Sequence, residues 1–418
     1  MSYSYSMLGE TIELCLDPDF ILVRFRGGRA DCARVRAAQS WVGGTGAAGL
    51  ELPDEDVALV PTPLLQQQPT VSDARATEET IAELRSKPNV LLAMPVFRTS
   101  RHRSFATDRV IIGLADAVSR NAVSERYGLH VIEVRDDKIV CTVGRGQDVF
   151  DVVAAMEDDP LVRFAEPDFV TVGRDLDAPE RLAPSPSDEQ WAAEELAAIM
   201  ATNDRPTATT DTDVPPFAVR FGPSGLPGGY WKMANATIAR SINWARCAGA
   251  DILINRWGGG PPSNDITEEF ERARTTGRGG LGCVIVVAST STADTAGFPE
   301  TLPDTLAAAR DARIDDGFEL LPDGTGTVEK GMDAPGVPAA QASDRSVSLP
   351  TVSGACALVL AANPTLTEAQ VRHVVGRSIR WRGRSRQANG REPDGGQSRL
   401  DIVQAVRSAL AMSGRDTS

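Results

Sequence analysis

The sequence predicts two tandem ferredoxin-like (α+β) repeats followed by a doubly wound α/β domain built on a parallel sheet. Three observations carry this. The stretches Lys87-Pro-Asn-Val-Leu-Leu-Ala-Met-Pro-Val-Phe and Asp159-Pro-Leu-Val-Arg-Phe-Ala-Glu-Pro-Asp-Phe share one Pro-x-Val-x-x-Ala-x-Pro-x-Phe pattern, which marks an internal repeat. Each stretch closes a segment read as strand–helix–strand–strand–helix–strand, the split βαβ arrangement. Beyond residue 191, near-continuous apolar strands alternate with helices, as parallel sheets require. The expected division is a first repeat over 1–98, a second over 99–175, a linker over 176–190 and the α/β domain over 191–418.

In the second repeat, Arg109-Val-Ile-Ile-Gly-Leu reads as a strand and 116–127 as a helix. Strands follow at 129–134 and 138–143. A helix from Asp148 carries apolar Val149, Val152, Val153 and Met156 at helical spacing. A last strand from Leu161 runs into Ala165-Glu-Pro-Asp-Phe-Val. The first repeat is looser, with strands at 20–25, 50–52, 56–60 and 90–93 and helices at 29–40 and 75–86. In the C-terminal domain, a helix is expected at 190–200 and a strand at 217–221. A helix at 234–248 and a buried strand at 251–257 follow. Asp265 opens a helix with Glu268 completing a capping box, and 283–288 is a buried strand. The chain closes with helices over 346–361, from Thr367 (a second capping box with Gln370) to Arg377, and over 401–411.

The chain has 418 residues and a formal net charge of −14. That balance argues against a nucleic-acid or acidic-membrane binder. No apolar run is long enough for a membrane span, and the start has no basic region leading into an apolar stretch. Six cysteines without a CxxC pair read as reduced thiols, so the expected location is cytoplasmic. No His/Cys cluster suggests a metal, and no cofactor motif is present.

Four C-terminal blocks and the end of the second repeat carry a family likeness. They are Ile238-Ala-Arg-Ser-Ile-Asn-Trp-Ala with Gly249-Ala-Asp-Ile-Leu-Ile-Asn-Arg-Trp-Gly-Gly-Gly, Gly282-Cys-Val-Ile-Val-Val-Ala-Ser-Thr, Met332-Asp-Ala-Pro-Gly-Val, and Ser346-Val-Ser-Leu-Pro-Thr-Val-Ser-Gly-Ala with its continuation to Thr367. Together with Arg399-Leu-Asp-Ile-Val and Ala165-Glu-Pro-Asp-Phe-Val, they resemble the subtilisin-like serine protease family and the end of its pro-domain. The resemblance implies that Ser346 occupies the nucleophile position and Thr290 the position of the oxyanion asparagine. It also implies that Gly258, Gly259 and Gly260 form the substrate-groove turn. The family's Gly-Thr before the nucleophile is here Asp344-Arg345. The strand aspartate and the histidine motif of the family have no counterpart between Phe164 and Ile238.

Histidine occurs three times in all. His102 sits in a basic connector, His130 on a strand and His373 on a helix beside Arg372, and none is placed by the family pattern. A serine hydroxyl needs a base within hydrogen-bond reach. Glu194 and Glu195 do not match the carboxylate-based sedolisin variant. Arg372, Arg377, Arg380, Arg382, Arg384, Arg386 and Arg391 form a basic run in an acidic chain, read as a solvated loop or as a dock for acidic clusters such as Asp136-Asp137 and Glu157-Asp158-Asp159. The expectation is a subtilase-like pseudoprotease that binds a protein or peptide, with its own tail at Ala165–Val170 in the groove. The alternatives are an active intracellular serine endopeptidase using Ser346 with an unrecognised base, and other chemistry in the old groove using Ser346 or Asp344.

Overall fold

The computed structural model describes residues 3–26, 50–52, 57–61, 74–99, 102–144, 147–174, 224–226, 230–255, 257–289, 297–309, 326–328, 349–382 and 397–413. The expected helices at 29–40 and 190–200, the strand at 217–221 and the linker lie outside these residues. The chain divides into two units. One comprises 1–180, 223–238 and 260–265; the other comprises 181–222, 239–259 and 266–418.

The first unit opens with a hairpin, β1 (Tyr3–Met7) and β2 (Glu10–Leu14), paired antiparallel. Its turn places Leu8 (φ 51°) and Gly9 (φ 82°) in the left-handed region, the twist a two-residue hairpin needs. The remaining strands form one ten-stranded sheet. The range expected for the first repeat contributes β3 (Leu16–Phe25), β4 (Leu50–Leu52), β5 (Val57–Pro61) and β6 (Val90–Arg98), with helix α1 (Ala74–Ser86) between β5 and β6. The range expected for the second contributes β7 (Arg103–Leu114), α2 (Arg120–Arg126), β8 (His130–Arg135), β9 (Lys138–Thr142), α3 (Val149–Ala155) and β10 (Val162–Arg174). Pairing runs β4-β5-β3-β6 among the first four strands and β8-β9-β7-β10 among the next four, the same order by rank. The two sets of strands join where Val96, Phe97 and Arg98 of β6 pair with Phe105, Ser104 and Arg103 of β7. Apolar positions fill the layer between sheet and helix, with Ile21, Val23, Ile81, Leu84 and Ala93 forming one cluster.

Two strands from later in the chain extend this sheet. β11 (Ser224–Leu226) and β12 (Tyr230–Ala234) pair with each other, and β12 pairs with the far end of β10. Here β10 is longer than the sequence pattern suggests, because its last residues gain a second partner in β12. Helices α4 (Asn235–Cys247) and α5 (Asn264–Thr276) begin in this unit.

In the second unit, β13 (Ile252–Asn255), β14 (Val284–Ser289) and β15 (Leu306–Ala309) form a parallel sheet in that order. Ile252 to Asn255 align with Val284 to Val287, so the two expected buried strands are neighbours. Val284 and Val286 are fully buried against Val352, Cys356 and Val359 of α6 (Leu349–Ala362). Helix α6 is apolar on every side because the core wraps it. Around it pack α7 (Glu368–Arg377) and α8 (Ile402–Ser413), through Val371, Val375, Ala405 and Ala409. The capping box expected at Thr367 and Gln370 is present. A small antiparallel sheet joins β16 (Gly326–Val328), β18 (Gln397–Leu400) and β17 (Ile379–Arg382). Among the described residues, no helix is long and apolar enough to cross a membrane.

Candidate functional site

Ser346, Thr290, Asp344 and Arg345 lie outside the described residues. The glycine turn is described. Gly258 and Gly259 are buried; Gly259 has φ 84°, which favours glycine, and its N–H donates to the Phe298 carbonyl at 2.9 Å. Gly260, which belongs to the first unit, lies against the β10 tail. A Cβ there would sit 2.5 Å from Thr171 Oγ1, so only a glycine admits the tail this closely. His130 and His373 are exposed and His102 is half-buried.

The tail that reaches Gly260 belongs to the most polar buried region of the first unit. Glu166 and Asp168 stand two residues apart on β10, and both are buried. Glu166 meets the start of α5. Its Oε2 accepts from Asn264 N at 2.7 Å and from Asn264 Nδ2 at 3.0 Å, and its Oε1 accepts from Ser263 Oγ at 2.6 Å and Asp265 N at 3.3 Å. Asp168 meets the start of α4, where its Oδ1 accepts from Ala236 N at 3.0 Å. Helix N-termini present unpaired N–H groups and a positive dipole end, so each carboxylate neutralises one helix start. The sequence alone assigned the α5 start to an Asp265–Glu268 box. The correction is that Glu166 takes the Asn264 and Asp265 N–H groups, while the Asp265 carboxylate is held by cations.

Those cations come from the β8–β9 hairpin. Arg135 donates to both Asp265 oxygens, at 3.2 and 2.6 Å, and Lys138 Nζ donates at 2.9 Å. All three side chains are at most 7% exposed. The bidentate Arg–carboxylate fork is the geometry that makes burial of such a charge tolerable. Asn264 adds a further tie, accepting from Leu8 N at 3.0 Å and donating to the Ser6 carbonyl at 3.0 Å. The Tyr5 hydroxyl donates to the Pro262 carbonyl. The N-terminal hairpin therefore clips the same segment that Glu166 caps.

Burial dominates the titration of these acids. It pushes Glu166 up to about 7, its hydrogen bonds from Ser263 and Asn264 opposing and the Asp265 charge reinforcing the shift. It pushes Asp168 up to about 6, against the Ala236 bond and the Arg109 charge. Asp168 Oδ2 has no hydrogen-bond partner among the described residues. Desolvation, and secondarily Glu166, raises the Tyr5 hydroxyl as well. Among the described residues, no group of three or more His, Cys, Asp or Glu gathers into a metal site, and Cys15, Cys141, Cys247, Cys283 and Cys356 are unpaired.

Residues 93–168 match the family model of the fervidolysin N-terminal prodomain, and the match ends on Asp168. Among solved structures, the chain is similar to fervidolysin from Fervidobacterium pennivorans, a keratinolytic enzyme related to subtilisin, at 15% identity and TM-score 0.41, over 74% of this chain and 62% of that one. It thus spans less than two thirds of fervidolysin. It is also similar to a protease from Pseudoalteromonas arctica, at 19% identity and TM-score 0.25, over 42% of this chain and 58% of that one. No curated protein sequence matches the chain.

Proposed function

We infer that the chain is a subtilase-fold pseudoprotease, a protein- or peptide-binding regulatory module whose peptide groove is filled by its own prodomain tail. The observation that carries the reading is Thr171 packed on Gly260, the glycine turn that the family resemblance assigns to substrate. The tail also enters as an extended strand, Val170 to Arg174 pairing with Ala234 to Tyr230, the shape of a bound peptide. The identical strand ranks in 16–98 and 103–174 support a duplicated ferredoxin-like prodomain, and the parallel β13-β14-β15 sheet around α6 supports a shortened subtilase-like domain.

The chemistry argues for a silent site. Ser346 lacks a histidine or aspartate at the family positions, and Thr290 replaces the oxyanion asparagine. Losing one such donor alone removes about 2.7–4 kcal/mol of transition-state stabilisation. The test is labelling of the full chain with a fluorophosphonate, which needs an activated serine. Wild type and Ser346→Ala are expected to label equally at pH 5 and at pH 8. Specific labelling of Ser346 at either pH would replace this reading with an active serine endopeptidase.

A further inference from the structure

The tail that fills the proposed groove has a second edge, closed by β7, and β6 of the first repeat backs β7 in turn. Residues Val170, Thr171 and Val172 pair with Ala234, Met233 and Lys232 of β12 on one side. On the other they pair with Phe105, Ser104 and Arg103 of β7. Those three β7 residues are in turn paired with Val96, Phe97 and Arg98 of β6, the last strand of the first repeat. Three consecutive rows of four residues therefore cross the sheet from the first repeat to β12. The first two rows are buried from β6 to β10: Val96, Phe97, Phe105, Ser104 and Val170 are at most 1% exposed, and Ser104 Oγ and Thr171 Oγ1 share a hydrogen bond of 2.9 Å.

The adjoining ends of β6 and β7 are gathered by one carboxylate. Asp17 of β3, 0% exposed, accepts from Arg98 Nη2 at 3.0 Å and from Arg103 Nε at 2.7 Å. The Arg103 guanidinium also lies 4.3 Å from the centre of the Phe20 ring. A strand with one open edge can peel away from its neighbour, whereas one paired on both edges leaves only if a ladder on each side breaks.

We propose that the first repeat is a lock on the tail strand, with Asp17 as the positioning residue that holds the 103–105 stretch of β7 closed over residues 170–172. This rests on the reading of the tail as the occupant of the peptide groove. The lock makes the tail a resident strand and gives the duplication a role: the second copy supplies the tail and the first copy keeps it in place.

Hydrogen exchange of the full chain tests this. Asp17→Asn keeps the volume and removes the charge that both arginines share. Its amides at 170–172 are expected to exchange at least ten-fold faster than those of wild type. Amides 139–141 of β9, which pairs with β7 at 109–113, are expected to stay unchanged. Arg98→Ala, which leaves the Asp17–Arg103 pair intact, is expected to act in the same direction more weakly, and it serves if Asp17→Asn does not fold. Faster exchange at 103–105 with none at 170–172 would overturn the lock. So would uniform acceleration that includes β9, because Asp17 would then be structural only. A synthetic peptide of residues 164–174 separates the two readings. Binding to Asp17→Asn at least ten-fold tighter than to wild type supports both, while tail opening without peptide binding keeps the lock and sinks the groove assignment.

Discussion

Strands β6 and β10 carry the same sequence pattern and do opposite work at two positions. In β6 the residues after the shared alanine are Met94-Pro-Val96; in β10 they are Glu166-Pro-Asp168. All four variable side chains are buried. Met94 takes a contact from Arg85 Nη2 at 3.4 Å and Val96 is sealed between strands. Glu166 and Asp168 each receive the start of a helix. A buried position next to strands is filled by an apolar side chain, while one aimed at unpaired helix N–H groups needs an acceptor. Identical strand ranks thus coexist with different chemistry, and the prodomain match that spans 93–168 includes the copy with the acids.

Exchanging the residues breaks this comparison most severely in one direction. Val96→Asp places a carboxylate at a site that is 0% exposed. A loss of about 4 kcal/mol is expected, read as a large drop in thermal stability or in soluble yield. The reciprocal Asp168→Val is expected to be milder. It removes one helix acceptor but also relieves the burial of a carboxylate whose Oδ2 has no partner among the described residues. Equal effects from the two exchanges would show that the positions are not distinguished by what they face.

Acid capping also sets a pH dependence that the apolar copy lacks. The folded-state pKa of Glu166 stands above its ordinary 4.5, at about 7. Its contribution to stability is therefore fully present below about 4.5 and is lost as pH rises through about 7. Asp168 acts in the same sense between its ordinary 3.8 and about 6. Acidification from pH 8 to pH 5 is expected to tighten this region, by on the order of 2–3 kcal/mol from Glu166. Glu166→Gln keeps an acceptor and removes the titration. The difference in melting temperature between wild type and Glu166→Gln is expected to move in favour of wild type as pH falls. A difference that stays constant, or moves the other way, would mean that Glu166 is ionised throughout.

What could be read in advance follows from how far apart the partners lie in the chain. The β13–β14 pairing and the Thr367 box were legible because each is written in a contiguous pattern. The caps on α4 and α5 were not, since their acceptors lie 68 and 98 residues before the N–H groups they satisfy. The Asp265–Glu268 pattern looked like a local box, yet Asp265 serves Arg135 and Lys138, about 130 residues away in the chain. The N-terminal hairpin was missed for a different reason. Its turn is Leu8-Gly9, and a leucine in the left-handed region hides a signal that Asn or Asp would have given. Gly260 was legible as a turn, but what it makes room for came only with the β10 tail. The nucleophile segment was singled out from its motif alone, and it lies outside the described residues.

The smallest expected effect contrasts a helix that caps itself with the two capped from β10. Helix α7 begins at Thr367, whose Oγ1 accepts from Gln370 N at 3.3 Å while Gln370 Oε1 accepts from Thr367 N at 2.8 Å. Thr367→Ala deletes the first bond and leaves the second available, because the alanine keeps its N–H. The expected loss is about 1 kcal/mol. The bond lies at the exposed end of a helix whose buried face, Val371, Val374 and Val375, is untouched, so water can replace the lost acceptor. The loss is also expected to be independent of pH between 5 and 8, because a hydroxyl does not titrate there. A pH-dependent loss, or one as large as that of Val96→Asp, would mean that the cap is tied to groups beyond the box and that local and distant capping do not differ in kind.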